Sequence, residues 1–167
     1  MGTRLMSESR IKQRYPHLQY VRVHTCGKHK ASIYAWDGEL QLSAKDAASL
    51  QRFASGYLLQ HVCYDVKPYD SLREDGLPKA APLPELLSQA ALRTELQAKD
   101  IVDTLNSLLP GKTISFRSYD AYSGTVQFNI FSATPVTDDE QELVSRYVDE
   151  LVPVGCQGRV HYIRVAE

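Results

Sequence analysis

Long apolar stretches are missing from this sequence. No hydrophobic run comes close to the ~18–20 residues that a membrane helix needs. The first residues carry charges and are followed by no apolar segment, which is not typical of a secretory signal. The three cysteines include no Cys-x-x-Cys pair and suggest no disulfide framework. We therefore expect a cytoplasmic protein that makes no contact with a membrane.

The motifs of common enzyme classes are also missing. The sequence contains no Walker loop, no Gly-x-Gly-x-x-Gly, no Gly-x-Ser-x-Gly and no His-Glu-x-x-His. Cys156 precedes His161 by five positions, so a cysteine nucleophile with a histidine base stays open as an alternative. Our main expectation is a non-catalytic protein without a cofactor.

A net charge of −1 conceals an uneven distribution. Residues 1–30 hold seven basic side chains and one acidic side chain, whereas the remaining residues hold twelve basic and nineteen acidic ones. Such a basic segment docks onto an acidic protein surface or binds nucleic acid. The candidates for nucleic-acid contact are Arg10, Lys12, Arg14, Arg22, Lys28 and Lys30.

Apolar periodicity predicts an α-β-β-α-β unit in the first part of the chain. A helix over 5–15 precedes alternating strands over 18–26 and 31–36, which flank a polar turn with a glycine. Ser43 is a suitable N-cap for the next helix, and a strand over 61–67 follows.

The second part of the chain repeats this order. An offset of 94 positions relates two caps and several apolar positions, so we predict an internal duplication. The related pairs are Pro16 and Pro110, Ser43 and Thr137, Leu50 and Val144, and Phe53 and Tyr147. The last strand, which opens at Val160, needs an offset of 98, which places about four extra residues around 153–158.

These patterns predict an α+β fold of two tandem α-β-β-α-β units. Each unit would be a three-stranded mixed sheet with helices packed on one face. We expect a first unit over 1–68, a Pro-containing linker plus a helix over 69–96, and a second unit over 97–167. The linker prolines are Pro68, Pro78, Pro82 and Pro84, and a helix is predicted over 85–96.

The predicted element order resembles known modules. It is similar to the ring-building motif of secretion and sporulation ring proteins and to modules of phage baseplate proteins. The KH nucleic-acid module has a related element order.

Two His-x-Cys pairs are candidates for a metal site. His24 and Cys26 share one strand face, as do His61 and Cys63. If the first strand were the middle strand of its sheet, the two pairs would meet at one corner. Two imidazoles and two thiolates suit tetrahedral zinc, with His29 as a reserve ligand. The alternative is that these residues are unrelated surface and half-buried side chains.

An aromatic face is the other candidate site. Alternation places Tyr20, Arg22, Tyr34 and Trp36 on the sheet face that the helices should leave open. Such residues are typical anchors of protein interfaces, and they also stack unpaired bases. We expect the second unit or a partner chain to bury the rings. The sequence therefore favours a protein-interaction, assembly or regulatory module over a single-stranded nucleic-acid binder and over a metal-binding protein or enzyme.

Overall fold

A computed structural model describes residues 2–59, 61–77, 79 and 81–166. The described residues form six helices and two three-stranded sheets. The helices are α1 (Arg4–Arg14), α2 (Ala44–Tyr57), α3 (Tyr69–Glu74), α4 (Glu85–Ala91), α5 (Ala98–Leu108) and α6 (Asp138–Leu151). The strands are β1 (Tyr20–Gly27), β2 (Lys30–Trp36), β3 (Cys63–Lys67), β4 (Lys112–Asp120), β5 (Thr125–Ser132) and β6 (Gln157–Arg164).

The predicted duplication is confirmed. Helices α1 and α5 have equal lengths and lie 94 positions apart, and the same holds for α2 and α6. Ser43 caps α2 by accepting a hydrogen bond from the Asp46 N–H, and Thr137 caps α6 in the same way from the Glu140 N–H. Shared length, spacing and capping show two copies of one α-β-β-α-β unit.

The middle strand of each sheet is the second strand of the unit. The orders are β1-β2-β3 and β4-β5-β6. The hairpin pairs β1–β2 and β4–β5 are antiparallel. The pairs β2–β3 and β5–β6, which the helical crossovers join, are parallel. An arrangement with the first strand in the middle is therefore wrong. The hairpin keeps the first two strands adjacent, and the helical crossover then adds the third strand beside the second.

Each sheet buries one face against its helices. In the first unit, the inward positions of β1 and β2 form a core with Ile11 of α1 and Leu50 of α2. In the second unit, Phe128 and Ile130 of β5 pack with α5 and α6. The apolar side chains that alternate along the strands thus pack against the apolar faces of the helices on one side of each sheet.

The inter-unit segment is divided between the two units. Its α3 helix, which the sequence did not predict, packs on β2 of the first unit. Helix α4 ends at Ala91 and is therefore shorter than the helix predicted over 85–96. It packs on α5 and α6. The segment is therefore part of both units rather than only a linker, and Pro78 lies outside the described residues.

The two units meet at the loop between α6 and β6. Five residues separate α6 from β6 and five separate α2 from β3, and the two strands begin 94 positions apart. The predicted offset of 98, with about four extra residues around 153–158, is therefore wrong. Val154 joins the core of the first unit, and its N–H donates to the Gly2 carbonyl at 2.9 Å. The Gly155 N–H donates to Thr25 Oγ1 at 3.0 Å, and the Gly155 carbonyl accepts from the His29 N–H at 2.9 Å. A short loop of the second unit is thereby held at the hairpin of the first.

A partly buried ion network supports the same junction. The Arg4 guanidinium donates to Glu8 within α1 at 2.9 Å and to Glu150 of α6 at 2.9 Å. Glu8 also accepts from the Val23 N–H on the outer edge of β1. Burial raises the pKa of Glu8, and the neighbouring Arg4 opposes this effect. One arginine thus joins the two units, and α1 covers the edge of the first sheet.

We predict that Gly155→Ala lowers the free energy of unfolding more than Gly76→Ala does. Both glycines have a positive φ, 83° and 63°, so either alanine costs about 1–2 kcal/mol in backbone strain. At position 155 the added Cβ would lie 2.9 Å from Val62 Cγ2 and 3.2 Å from His29 Cα, whereas position 76 has no atom within 4 Å. Overpacking adds about 1–3 kcal/mol. Urea unfolding measures both variants, and equal losses would contradict the tight junction.

Candidate functional site

The outer face of the first sheet, which points away from α1 and α2, holds most of the predicted site residues. Strand register places Tyr20 beside Trp36 and Arg22 beside Tyr34. The Tyr20 and Trp36 rings stack with centroids 4.0 Å apart and an interplanar angle of 6°. The four predicted partner-binding residues therefore lie together on one surface, which we call the aromatic face.

Helix α3 covers the aromatic face. Tyr69 packs edge-on against Trp36 with ring centroids 4.9 Å apart. Asp75, directly after α3, accepts from the Tyr34 hydroxyl at 2.6 Å and from Lys67 Nζ at 2.8 Å. Tyr34 is 2% exposed and Trp36 is 6% exposed. The expectation that the second unit or a partner chain buries these rings is corrected, because the chain's own inter-unit segment does so.

The electrostatics of this contact depend on Asp75. Its hydrogen bonds with Lys67 and Tyr34 lower the pKa of its carboxyl group. Burial raises the pKa of Tyr34, and the hydrogen bond to Asp75 adds to the rise. At neutral pH, therefore, an ionised carboxylate faces a protonated phenol and an ammonium group, the state in which all three groups can bond.

The two His-x-Cys pairs do not form the expected zinc corner. Since β2 separates β1 from β3, and neighbouring strands lie ~4.8 Å apart, side chains on the outer strands start about 10 Å from each other. His24 and Cys26 are therefore too far from Cys63 to share a metal ion. The ring of His61 instead lies against the ring of His29, with centroids 5.7 Å apart. Within residues 2–59, 61–77, 79 and 81–166, no group of three or more His, Cys, Asp and Glu is placed to hold a metal ion.

A groove of about 370 Å³ lies on the outer face next to the end of α3. His24, Cys26 and Cys63 line it, together with Asp75 and Leu77. Burial lowers the pKa of His24, and the positive charges of Arg22 and Arg4 lower it further. His24 is therefore neutral at physiological pH. Three of the four residues proposed as ligands, His24, Cys26 and Cys63, thus line one surface groove.

A wider cleft of about 820 Å³ separates the two units. One wall comes from the first unit and carries Arg22 and Lys28, and the other comes from α6 and carries Glu142 and Asp149. His24 and Cys26 line both the cleft and the groove. The two concave regions therefore join along β1.

The cysteine–histidine alternative is not favoured by the contacts of its two residues. Cys156 is buried, and burial raises the pKa of its thiol, although a hydrogen bond with Tyr119 acts in the opposite direction. His161 Nε2 instead lies 2.7 Å from Gln127 Oε1. A thiol with a raised pKa is a weak nucleophile, and each residue has a different partner.

The predicted nucleic-acid residues are divided between two sides of the first sheet. Arg10, Lys12 and Arg14 belong to α1, which packs on the helix-covered face. Arg22 lies on the opposite face, and Lys28 Nζ lies 4.0 Å from the ring centroid of Tyr122 in the second unit. The six residues do not share one surface.

The outer face of the second sheet is the structural counterpart of the aromatic face. Phe131 of β5 lies beside Ile163 of β6, and Ile163 is 39% exposed. His161 and Gln127 form a hydrogen-bonded pair next to them, and Asn129 Oδ1 is buried with no hydrogen-bond partner among the described atoms. The helices that contact this sheet, α5 and α6, pack on its other face with Phe128 and Ile130. Most side chains on this face are polar, so the face does not stand out in the sequence.

We predict that Asp149 reduces the stability of the fold as the pH rises from about 4 to about 6. Removal of water in the cleft raises the pKa of Asp149 from its ordinary 3.8 to about 6, although part of its surface stays accessible. Between these values the folded state keeps the proton that the unfolded state releases, so unfolding becomes more favourable with increasing pH. Urea unfolding of Asp149→Asn should lack this decline, whereas the exposed control Asp103→Asn should retain it. Parallel pH profiles of wild type and Asp149→Asn would contradict the prediction.

Comparisons with known proteins find only weak structural similarity. No protein-family model matches the chain, and no curated protein matches it. Among solved structures, the chain is similar to one described as the PrgH periplasmic domain, with 16% identity and a TM-score of 0.35, covering 95% of this chain and 67% of that one. A second is described as the periplasmic domain of the T3SS inner membrane protein PrgH from S. typhimurium, with 19% identity, a TM-score of 0.32, and coverage of 93% and 70%. At this identity no residue role is transferred.

Proposed function

We propose that this chain is a non-catalytic protein-interaction and assembly module. The observation that supports the proposal is that, in the described part of the chain, the outer sheet face is covered by a helix in one unit and not in the other. In the first unit, α3 occupies the outer face of the sheet. In the second unit, the equivalent face presents Phe131 and Ile163. A face that holds a helix in one copy is suited to hold a protein segment in the other.

The chemistry of the second face suits a protein partner. The adjacent pair Phe131 and Ile163 supplies apolar surface, and Arg159 lies two positions before His161 on β6. Asn129 adds a buried acceptor without a partner in the described chain. Apolar residues surrounded by polar ones are the usual composition of a non-obligate interface.

The proposal includes self-association of this chain and a cytoplasmic location. No described helix is long and apolar enough to span a membrane. The separation of the basic residues of α1 from Arg22 does not favour nucleic acid as the main ligand, because phosphate recognition depends on basic groups clustered on one surface.

We predict that Ile163→Asp weakens self-association of the chain. The new carboxylate would lie beside Phe131 on the second outer face, where burial against another molecule would cost desolvation energy. The matched control is Leu92→Asp, since Leu92 is 44% exposed but follows α4 rather than lying on a sheet face. Sedimentation velocity over a concentration series measures the mass of wild type and both variants.

The expected result is a concentration-dependent mass for wild type and Leu92→Asp, and a monomer for Ile163→Asp. Equal association of all three proteins would move the interface away from this face and contradict the proposal. A monomeric wild type that binds single-stranded RNA or DNA in a salt-dependent titration would replace the proposal with the nucleic-acid alternative.

A further inference from the structure

We propose that the aromatic face is a peptide-docking surface whose ligand is a short acidic helix of a partner protein, and that α3 occupies it in cis. This inference rests on the proposed function, because it names the kind of segment that one unit binds. It concerns the first sheet, whereas the self-association described above uses the second.

The contacts of α3 show what the face recognises. An aromatic ring at position 69 meets Trp36, and a carboxylate six positions later receives hydrogen bonds from Tyr34 and Lys67. The segment 69–75 carries three carboxylates and one arginine. The strands of this face carry Arg22, Lys30 and Lys67 against one carboxylate, Asp65. The charges of the helix and the face are therefore complementary, and the anchors are the residue types that dominate protein interfaces.

Helix α3 itself is weakly held. It has six residues, none of them buried, and Pro68 gives it no side-chain cap. The buried residues of the contact belong to the face, namely Ser32, Tyr34 and Trp36. A segment attached to the same chain benefits from a high effective concentration, so few contacts suffice to hold it. A partner helix with more contacts can displace it.

The surface extends beyond the end of α3. The groove of about 370 Å³ continues past Leu77 along Lys30, Ser32 and Cys63. A ligand longer than α3 would fill this groove in addition to the aromatic face. The partner segment is thus an acidic helix with an aromatic residue near its start, a carboxylate about two turns later and an apolar residue after it.

Trp36 gives a direct optical test, because it is the one tryptophan of the chain. In a Tyr69→Ala/Asp75→Ala variant we expect acrylamide to quench the fluorescence of Trp36 several-fold more strongly than in wild type, since both anchors of α3 are removed. Adding a synthetic peptide of residues 68–77 at up to millimolar concentration should restore the wild-type protection. A peptide with the same two alanine substitutions should not restore it.

Circular dichroism establishes that the variant is folded. If the double variant unfolds, Asp75→Asn takes its place, because it keeps the side-chain volume and removes the ion pair with Lys67. Unchanged quenching in the folded variant would overturn the inference, since α3 would not depend on these anchors. Exposed Trp36 that neither peptide protects would also overturn it, whereas the self-association of wild type would stand as a separate result.

Discussion

The short loop at Val154 and Gly155 is the contact on which the arrangement of the two units depends. It gives the first unit an apolar side chain for its core and exchanges three hydrogen bonds with residues of that unit. Gly155 allows this because its positive φ suits glycine and because a Cβ would meet Val62 and His29. The cleft, the ion network of Arg4 and the contact between Lys28 and Tyr122 all lie around this loop.

The two units share one fold and differ in the chemistry of their outer sheet faces. Both units keep helix lengths, caps and strand order, because these features determine the fold. The outer sheet faces contribute little to the two cores and so are free to differ. One became aromatic and basic and is covered by α3, and the other became polar with an apolar corner at Phe131 and Ile163. The two units therefore differ in the side chains of their outer sheet faces.

The basic side chains at the junction each have a nearby partner and do not form one basic patch. The basic excess in residues 1–30 suggested one patch, yet Arg4 is held by Glu8 and Glu150, and Lys28 rests on an aromatic ring. Asp149 accepts a hydrogen bond from the Gly158 N–H, and loss of water still raises its pKa. A sequence count of charges therefore predicts the net field of a segment but not which charges stay available, because pairing is set by tertiary contacts.

The sequence alone determined the α+β class, the duplication, the helix caps and the face shared by Tyr20, Arg22, Tyr34 and Trp36, because these depend on periodicity and on local hydrogen bonds. Only the tertiary structure decided the middle strand, which separates Cys26 from Cys63, and the path of the proline-containing segment, which brings Tyr69 onto Trp36. Strand order and long-range docking arise from contacts between distant residues, and local patterns do not record such contacts.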